Sequence, residues 1–264
     1  MKFTKMHGLG NDYLYVYADA VPNRPEALIR RLSDRHFGAG SDGMIWILPS
    51  EVADFQMRIF NADGSEAAMC GNGIRCVGKY VYDKGHTDKL TLTVETRSGV
   101  KTLSMTAEEG RITSVRVNMG QAAVQRPETI EIDHNNIELI PVDMGNPHAV
   151  VFVPRITQAL LTTLGPALEQ HPRFPDGVNV ELVEHTGENR LRMRVWERGS
   201  GVTMACGTGA CACAAAAIAA GLCEHDEDIS VQLDGGTLTI RVDPSWNVTM
   251  TGPAETVYEG EVTL

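Results

Sequence analysis

The chain has 264 residues, 43% of them hydrophobic, enough for one large core or two modest ones without disulfide or metal support. Lysine and arginine total 23 against 34 for aspartate and glutamate, so the formal charge of −11 repels nucleic-acid phosphates and anionic lipid surfaces, and neither partner is expected. The opening Met1-Lys2-Phe3-Thr4-Lys5-Met6 lacks the apolar stretch of a secretory signal, and the apolar run Ala210 to Leu222 is shorter than the roughly 20 residues a bilayer needs, which predicts a soluble cytoplasmic protein.

In chain order, alternating or continuous apolar residues predict strands at Lys2 to Met6 and Tyr13 to Tyr17, and apolar residues at three- and four-residue spacing predict a helix over Pro25 to Leu32. Strands at Met44 to Leu48 and Phe55 to Phe60 lead to Cys70-Gly71-Asn72-Gly73 and a helix over Ile74 to Asp83. A meander follows at Leu90 to Thr96, Val100 to Thr106 and Ile112 to Asn118, turned by residues such as Ser98-Gly99. The same order then recurs. Strands at Glu138 to Val142 and Ala149 to Val153, a helix over Ile156 to Glu169, and strands at Val178 to Val183 and Leu191 to Trp196 precede Cys206-Gly207-Thr208-Gly209. A helix over Ala210 to Ala220 and strands at Ile229 to Leu233, Thr237 to Val242 and Val248 to Thr251 complete the second half.

The recurrence extends to individual residues. Met57-Arg58-Ile59-Phe60-Asn61 returns as Met193-Arg194-Val195-Trp196-Glu197, and Cys70 returns as Cys206, both at an offset of 136 residues (206 − 70). With small slips Gly10-Asn11 pairs with Gly145-Asn146 and Asp42-Gly43 with Asp176-Gly177. An ordered series at nearly constant spacing marks an internal duplication. Ala212 to Ala220 has almost no polar face, and a helix apolar all round is buried on every side. The expected fold is therefore α/β (α+β): two pseudo-symmetric lobes, each a mostly antiparallel sheet or barrel wrapped around a central helix. The expected domains are residues 1–117 and 118–255, with a last strand at about 256–264 returning to the first lobe and the active site in the cleft between.

Six cysteines in a reducing compartment do not read as a disulfide framework, and Cys206, Cys211 and Cys213 lack zinc-ligand spacing. Cysteine is a small buried hydrophobe more often than a catalyst, and that reading holds for Cys76, Cys211, Cys213 and Cys223. Cys70 and Cys206 differ because they open matched helices with glycines at the same spacing. A helix start favours the thiolate, and the glycines let the chain turn sharply and aim N–H groups at an anion such as a carboxylate. Two lobes related by a pseudo-twofold axis would set the thiols on opposite sides of one bound carbon. One would remove its proton and the other would deliver a proton to the opposite face. His148 and Glu197 are the titratable candidates for tuning the two thiols, although a lone His is usually structural and a Glu after Trp196 can merely cap a turn.

Gly8-Leu9-Gly10-Asn11-Asp12, Phe60-Asn61-Ala62-Asp63-Gly64-Ser65, Met69-Cys70-Gly71-Asn72-Gly73-Ile74-Arg75-Cys76, Gly145-Asn146-Pro147-His148, Gly177-Val178-Asn179, and Trp196-Glu197-Arg198-Gly199 with Ala205-Cys206-Gly207-Thr208-Gly209 together resemble the diaminopimelate epimerase family. The resemblance runs from residue 3 to Thr251-Gly252-Pro253. It implies interconversion of LL- and meso-diaminopimelate for lysine and peptidoglycan synthesis, without pyridoxal phosphate or metal, by a two-lobed homodimer. By matching motifs, Cys70 and Cys206 are the base and acid pair, and Gly71-Asn72 and Gly207-Thr208 hold the reacting carboxylate through their N–H groups. Asn11, Asn61, Asn146, Asn179, Glu197 and Arg198 surround the distal amino-acid end, whose carboxylate suits an Arg fork and whose ammonium suits Glu and amide oxygens. The chain departs from many members at Gly43, where they have Gln, and at Val202, where they have Glu. The alternatives are a two-cysteine racemase acting on proline, hydroxyproline or histidine, and a binding or redox protein whose facing cysteines cycle to a disulfide.

Overall fold

A computed structural model describes residues 1–263, which divide into two compact units, Met1–Val117 with the described residues from Gly252 onward, and Asn118–Thr251. In the first unit β1 (Lys2–Gly8) and β2 (Asn11–Tyr17) form an antiparallel hairpin, and α1 (Glu26–Ser33) then leads to β3 (Gly43–Leu48), which lies parallel to β2. β4 (Phe55–Asn61) runs antiparallel to β3, with the short β5 (Glu66–Ala67) beside it. After α2 (Gly71–Asp83), β6 (Thr91–Thr96) lies parallel to β4, and β7 (Gly99–Glu108) and β8 (Arg111–Gln121) continue antiparallel. The unit boundary falls within β8.

The second unit repeats these pairings. After β9 (Ala123–Val124) and β10 (Glu128–Ile132), β11 (Asn135–Asp143) and β12 (Pro147–Phe152) pair antiparallel, α3 (Gln158–Glu169) intervenes, and β13 (Asn179–Gly187) lies parallel to β12. β14 (Arg190–Glu197) is antiparallel to β13, with β15 (Gly201–Val202) beside it. After α4 (Gly207–Ala219), β16 (Ile229–Leu233) lies parallel to β14, and β17 (Gly236–Val242) and β18 (Asn247–Gly252) follow antiparallel. β19 (Glu255–Glu261) then pairs with β1, so the chain's end belongs to the first unit from Gly252 onward. Each unit therefore has two parallel pairs in an otherwise antiparallel sheet, at matching places in the order. β10, which pairs with β11 in a hairpin, has no counterpart among the strands expected from sequence.

Both sheet faces are covered, and this explains the apolar runs. Met44, Trp46 and Leu48 of β3 pack with Ile29 and Leu32 of α1 in one core cluster, and Ile45 reaches Gly73 of α2 on the other face. In β13, Val180 and Leu182 pack with Leu161, Leu164 and Leu168 of α3, and Glu181 reaches Gly209 of α4. α4 is buried from Gly209 to Ala217, as its composition requires, and Ala219 lies exposed at its end. α2 is buried to the same depth although it carries charge, with Arg75 wholly inaccessible. Its guanidinium is satisfied by the carbonyls of Gly71 at 3.2 Å and Pro253 at 3.1 Å and by Asn72 Oδ1 at 3.0 Å. Lys79 donates to the Ile112 carbonyl at 2.6 Å and pairs with Asp83 at 2.9 Å. Such partners are what make buried cations tolerable. No helix among the described residues is long and apolar enough to cross a membrane.

Candidate active site

Cys70 and Cys206 are the N-cap residues of α2 and α4, each with extended backbone angles. Cys70 Sγ accepts a hydrogen bond from Gly73 N at 3.3 Å, and Cys206 Sγ accepts one from Gly209 N at 3.4 Å. Sulfur thus fills the place where Ser or Asp usually satisfies a free N–H of the first turn.

The glycines after each cysteine differ in role from the sequence expectation. None of Gly71, Gly73, Gly207 and Gly209 has positive φ, so they do not serve a sharp turn. Gly73 and Gly209 instead permit close approach of strands: a Cβ at 73 would lie 2.7 Å from Ile45 Cδ1, and one at 209 would lie 2.7 Å from Glu181 Oε1. Gly43 is also sterically required. Its φ is +154°, and a Cβ there would meet the Phe60 carbonyl oxygen at 2.0 Å, so this backbone has no place for a side chain such as Gln.

In the first unit, half-buried Cys70 donates from Sγ to Asn11 Oδ1 at 3.3 Å. The amide of Asn11 is oriented by Asp42, whose Oδ2 accepts from Nδ2 at 2.9 Å, and Asp42 in turn pairs with Arg35 at 2.8 Å. Neighbouring Asp12 accepts from Lys5 and Arg35. Burial alone would raise its carboxyl, but Arg35 and Lys5 together hold it below the usual carboxylate range. Asn72 is buried with Oδ1 turned to Arg75, so its side chain braces the helix start. Asn61 lies exposed, donating to Ser65 Oγ at 3.1 Å.

In the second unit the expected residues form a connected series. Cys206 Sγ is 3.5 Å from Thr208 Oγ1, Thr208 accepts from Asn146 Nδ2 at 3.4 Å, and Asn146 Oδ1 lies 3.1 Å from His148 Nε2. The series ends on a residue not expected from sequence: His148 Nδ1 lies 2.7 Å from Glu181 Oε1, with both side chains fully buried. Glu197 accepts from the Thr203 hydroxyl. Asn179 is committed to the backbone, donating to the Pro147 carbonyl and accepting from Arg198 N, both at 3.0 Å. The exposed Arg198 guanidinium donates through Nη1 to the Asp176 carbonyl at 3.0 Å.

The helix start was expected to lower both thiols. At Cys206 the opposite dominates: burial pushes the thiol well above its usual range, and the carboxylates of Glu197 and Glu181 push the same way, against smaller opposing effects of Thr208 and Gly209 N–H. Cys206 therefore carries its proton at neutral pH. Among the described residues no three His, Cys, Asp or Glu side chains gather closely enough to hold a metal ion.

With this geometry in view, comparison with known proteins decides the family. The family model described as Diaminopimelate epimerase matches residues 3–125 and 140–257. The chain belongs to the diaminopimelate epimerase family. The diaminopimelate epimerase of Acetivibrio thermocellus is 49% identical, covering 100% of this chain and 99% of that protein. The diaminopimelate epimerase of Bacteroides thetaiotaomicron is 51% identical, covering 99% and 98% respectively. Solved structures share the fold at low identity. A hydroxyproline epimerase from Agrobacterium vitis superposes with a TM-score of 0.77 at 19% identity, covering 99% of this chain and 90% of the other. A phenazine biosynthesis protein of the PhzF family from Bacillus anthracis gives 0.74 at 19%, covering 100% and 99%. The α+β architecture of the diaminopimelate epimerase family, β-rich with four helices among the described residues, is thus the architecture of this chain.

Proposed function

We propose that this diaminopimelate epimerase family member interconverts LL- and meso-diaminopimelate by proton transfer between two thiols, Cys70 and Cys206, acting on opposite faces of the alpha carbon. The observation that carries the mechanism is the matched pair of cysteine N-caps, one per duplicated unit, each sulfur held by an N–H of its own helix. One sulfur, as thiolate, takes the alpha proton and becomes a thiol. The electron pair left behind is delocalised into the substrate carboxylate, and the other thiol gives its proton to the opposite face and becomes the thiolate. The two sulfurs have then exchanged states, and reversing the roles runs the reaction backwards.

The alpha proton of an amino acid is weakly acidic, so the developing charge needs donors aimed in advance. The backbone N–H groups of Gly71-Asn72 and Gly207-Thr208 open α2 and α4, where unpaired donors and the helix dipole favour a carboxylate. Asn11 bonds Cys70 and Asn146 reaches Cys206 through Thr208, and Glu197, Arg198, Asn61 and Asn179 serve the distal end, the last by bracing the Arg198 loop rather than by offering its own amide. The enzyme works as a homodimer in the cytoplasm.

The test is direct. Purified protein incubated with LL-diaminopimelate, and with L-proline as a control, is followed by chiral chromatography. The meso form should accumulate to equilibrium and proline should stay unchanged. Cys70→Ala and Cys206→Ala should each lose at least 10³-fold in kcat, as expected when a general acid or base is removed from proton transfer to carbon, with circular dichroism unchanged. Substantial turnover by either variant refutes the two-thiol mechanism.

A further inference from the structure

Glu181 is buried polar chemistry that the two-thiol reaction leaves unused. Its side chain is wholly inaccessible on β13, Oε1 is 2.7 Å from His148 Nδ1, and Oε2 is buried without a hydrogen-bond partner. A carboxylate with an unfilled buried oxygen is uncommon in a native interior, because its lost hydration is not replaced. Gly209 leaves the space that Oε1 occupies, and the buried thiols Cys206 and Cys213 of α4 both feel the carboxylate's charge.

The hydrogen bonds leading away from Glu181 fix where protons sit. Asn146 donates from Nδ2 to Thr208, so its Oδ1 faces His148 Nε2, and that nitrogen must carry hydrogen. One more proton lies between Nδ1 and Oε1, giving either imidazolium beside carboxylate or imidazole beside carboxylic acid. In both forms Nε2 remains a donor and the orientation of Asn146 is locked. Thr208 Oγ1 then accepts from the amide, and its own hydrogen is free to point at Cys206 Sγ once that sulfur is a thiolate.

We propose that Glu181 is a positioning residue for Cys206: by sharing a proton with His148 it locks Asn146 and Thr208 so that a hydroxyl hydrogen meets the sulfur whenever that sulfur becomes a thiolate. The proposal rests on the reading of Cys206 as one of the two proton-transfer thiols. No proton leaves the series during turnover. Glu181 and His148 keep theirs, and the alpha proton passes only between carbon and sulfur. The first unit supplies the contrast, because the place taken by Glu181 against Gly209 is taken by Ile45 against Gly73, at the duplication's own offset of 136 (181 − 45). There Cys70 meets an acceptor, Asn11 Oδ1, in place of a hydroxyl. Cys70 thus faces an oxygen that can only accept, and Cys206 a hydroxyl that can also donate.

The experiment uses full-length protein carrying Glu181→Gln, which keeps shape and removes charge, and Glu181→Ile, which installs the first unit's residue. Both variants are checked for folding by circular dichroism. Glu181→Ile should lose at least tenfold in kcat in both directions with KM within about twofold, and Glu181→Gln, whose amide N–H can hold Nδ1 and so keep Nε2 a donor, should lose less. His148→Gln should lose a factor similar to that of Glu181→Ile, and the double variant of these two should be no worse than the worse single one, because both act through one series. A far-downfield proton resonance from the shared Nδ1–Oε1 proton should be present in wild type and lost in Glu181→Gln, Glu181→Ile and His148→Gln. A Glu181→Ile variant with wild-type kcat, including one that loses only thermal stability, overturns the proposal. So does a double variant whose loss is the product of the two single losses. A wild type that does not epimerise diaminopimelate overturns the functional reading and this proposal with it, whereas an active wild type matched by an equally active Glu181→Ile overturns this proposal alone.

Discussion

Gly209 and Glu181 occupy one another's space: the carboxylate oxygen Oε1 stands 2.7 Å from where a Cβ on residue 209 would be. The equivalent contact in the first unit, Gly73 against Ile45 Cδ1 at the same 2.7 Å, involves an aliphatic side chain with no hydrogen bonds to lose. A methyl group at 73 therefore asks only for a shift of Ile45. A methyl group at 209 must push a buried carboxylate off His148 and also crowds Cys206 Sγ at 3.3 Å.

The two alanine variants should differ accordingly. Alanine in a helix gains about 1 kcal/mol over glycine, so Gly73→Ala should be near neutral in stability. Gly209→Ala should lose about 1–2 kcal/mol net from the strained, half-broken hydrogen bond, and at least tenfold in epimerisation rate. Urea unfolding and steady-state kinetics of both proteins check this. Equal behaviour of the pair would contradict it.

Arg75 should matter to stability through geometry as well as charge. Its planar fork reaches Gly71, Asn72 and Pro253, tying the returning C-terminal segment to α2 within the first unit. Arg75→Met should cost about 2–4 kcal/mol by leaving buried carbonyls unpaired, and Arg75→Lys should recover only part of it because a single ammonium cannot span the three sites. Denaturant midpoints decide.

Alkaline pH should destabilise the protein through its buried thiols. Burial pushes the Cys76 thiol up to about 11, and Cys206 and Cys213 are raised in the same sense, also chiefly by burial. In the unfolded chain these thiols ionise near pH 8.5, while the folded protein keeps them protonated, so stability is full below that pH and falls as pH rises toward 11. For Cys76 alone the rise from about 8.5 to about 11 corresponds to about 3 kcal/mol. Unfolding free energies at pH 8 and pH 10.5 should show the fall, and Cys76→Ala should have a shallower slope. A slope unchanged by that substitution would contradict the assignment.

Much of this architecture is legible in the sequence because it follows periodicity and repetition. The continuous apolar run Met44-Ile45-Trp46-Ile47-Leu48 requires cover on both faces, and the polyalanine after Cys206 requires burial all round. The cysteine caps are legible for the same reason, since two helix starts agree at one offset. Glu181 is not. Val178-Asn179-Val180-Glu181-Leu182 alternates as a half-exposed strand does, and alternation alone directs Glu181 to solvent, whereas in the fold the polar face is the one turned to α4. The signal that could have found it is the mismatch within the repeat, a charged residue where the first half has Ile45. The role of Gly209 was hidden likewise, because sequence shows a glycine but not the side chain that fills its place. Buried Arg75 and Lys79 are invisible to hydrophobic patterning, since what makes them tolerable is a set of carbonyls distant in the chain.

Proton isotope tracing tests the central claim most directly. LL-diaminopimelate is incubated with the enzyme in deuterium oxide, and the alpha positions of substrate and product are followed by NMR and mass spectrometry at early times. Two thiols on opposite faces require that each meso molecule formed carries one solvent-derived deuteron at the inverted carbon while the remaining LL pool stays largely unlabelled. Meso product that retains its original proton, or LL substrate that exchanges fully without inverting, would contradict the account.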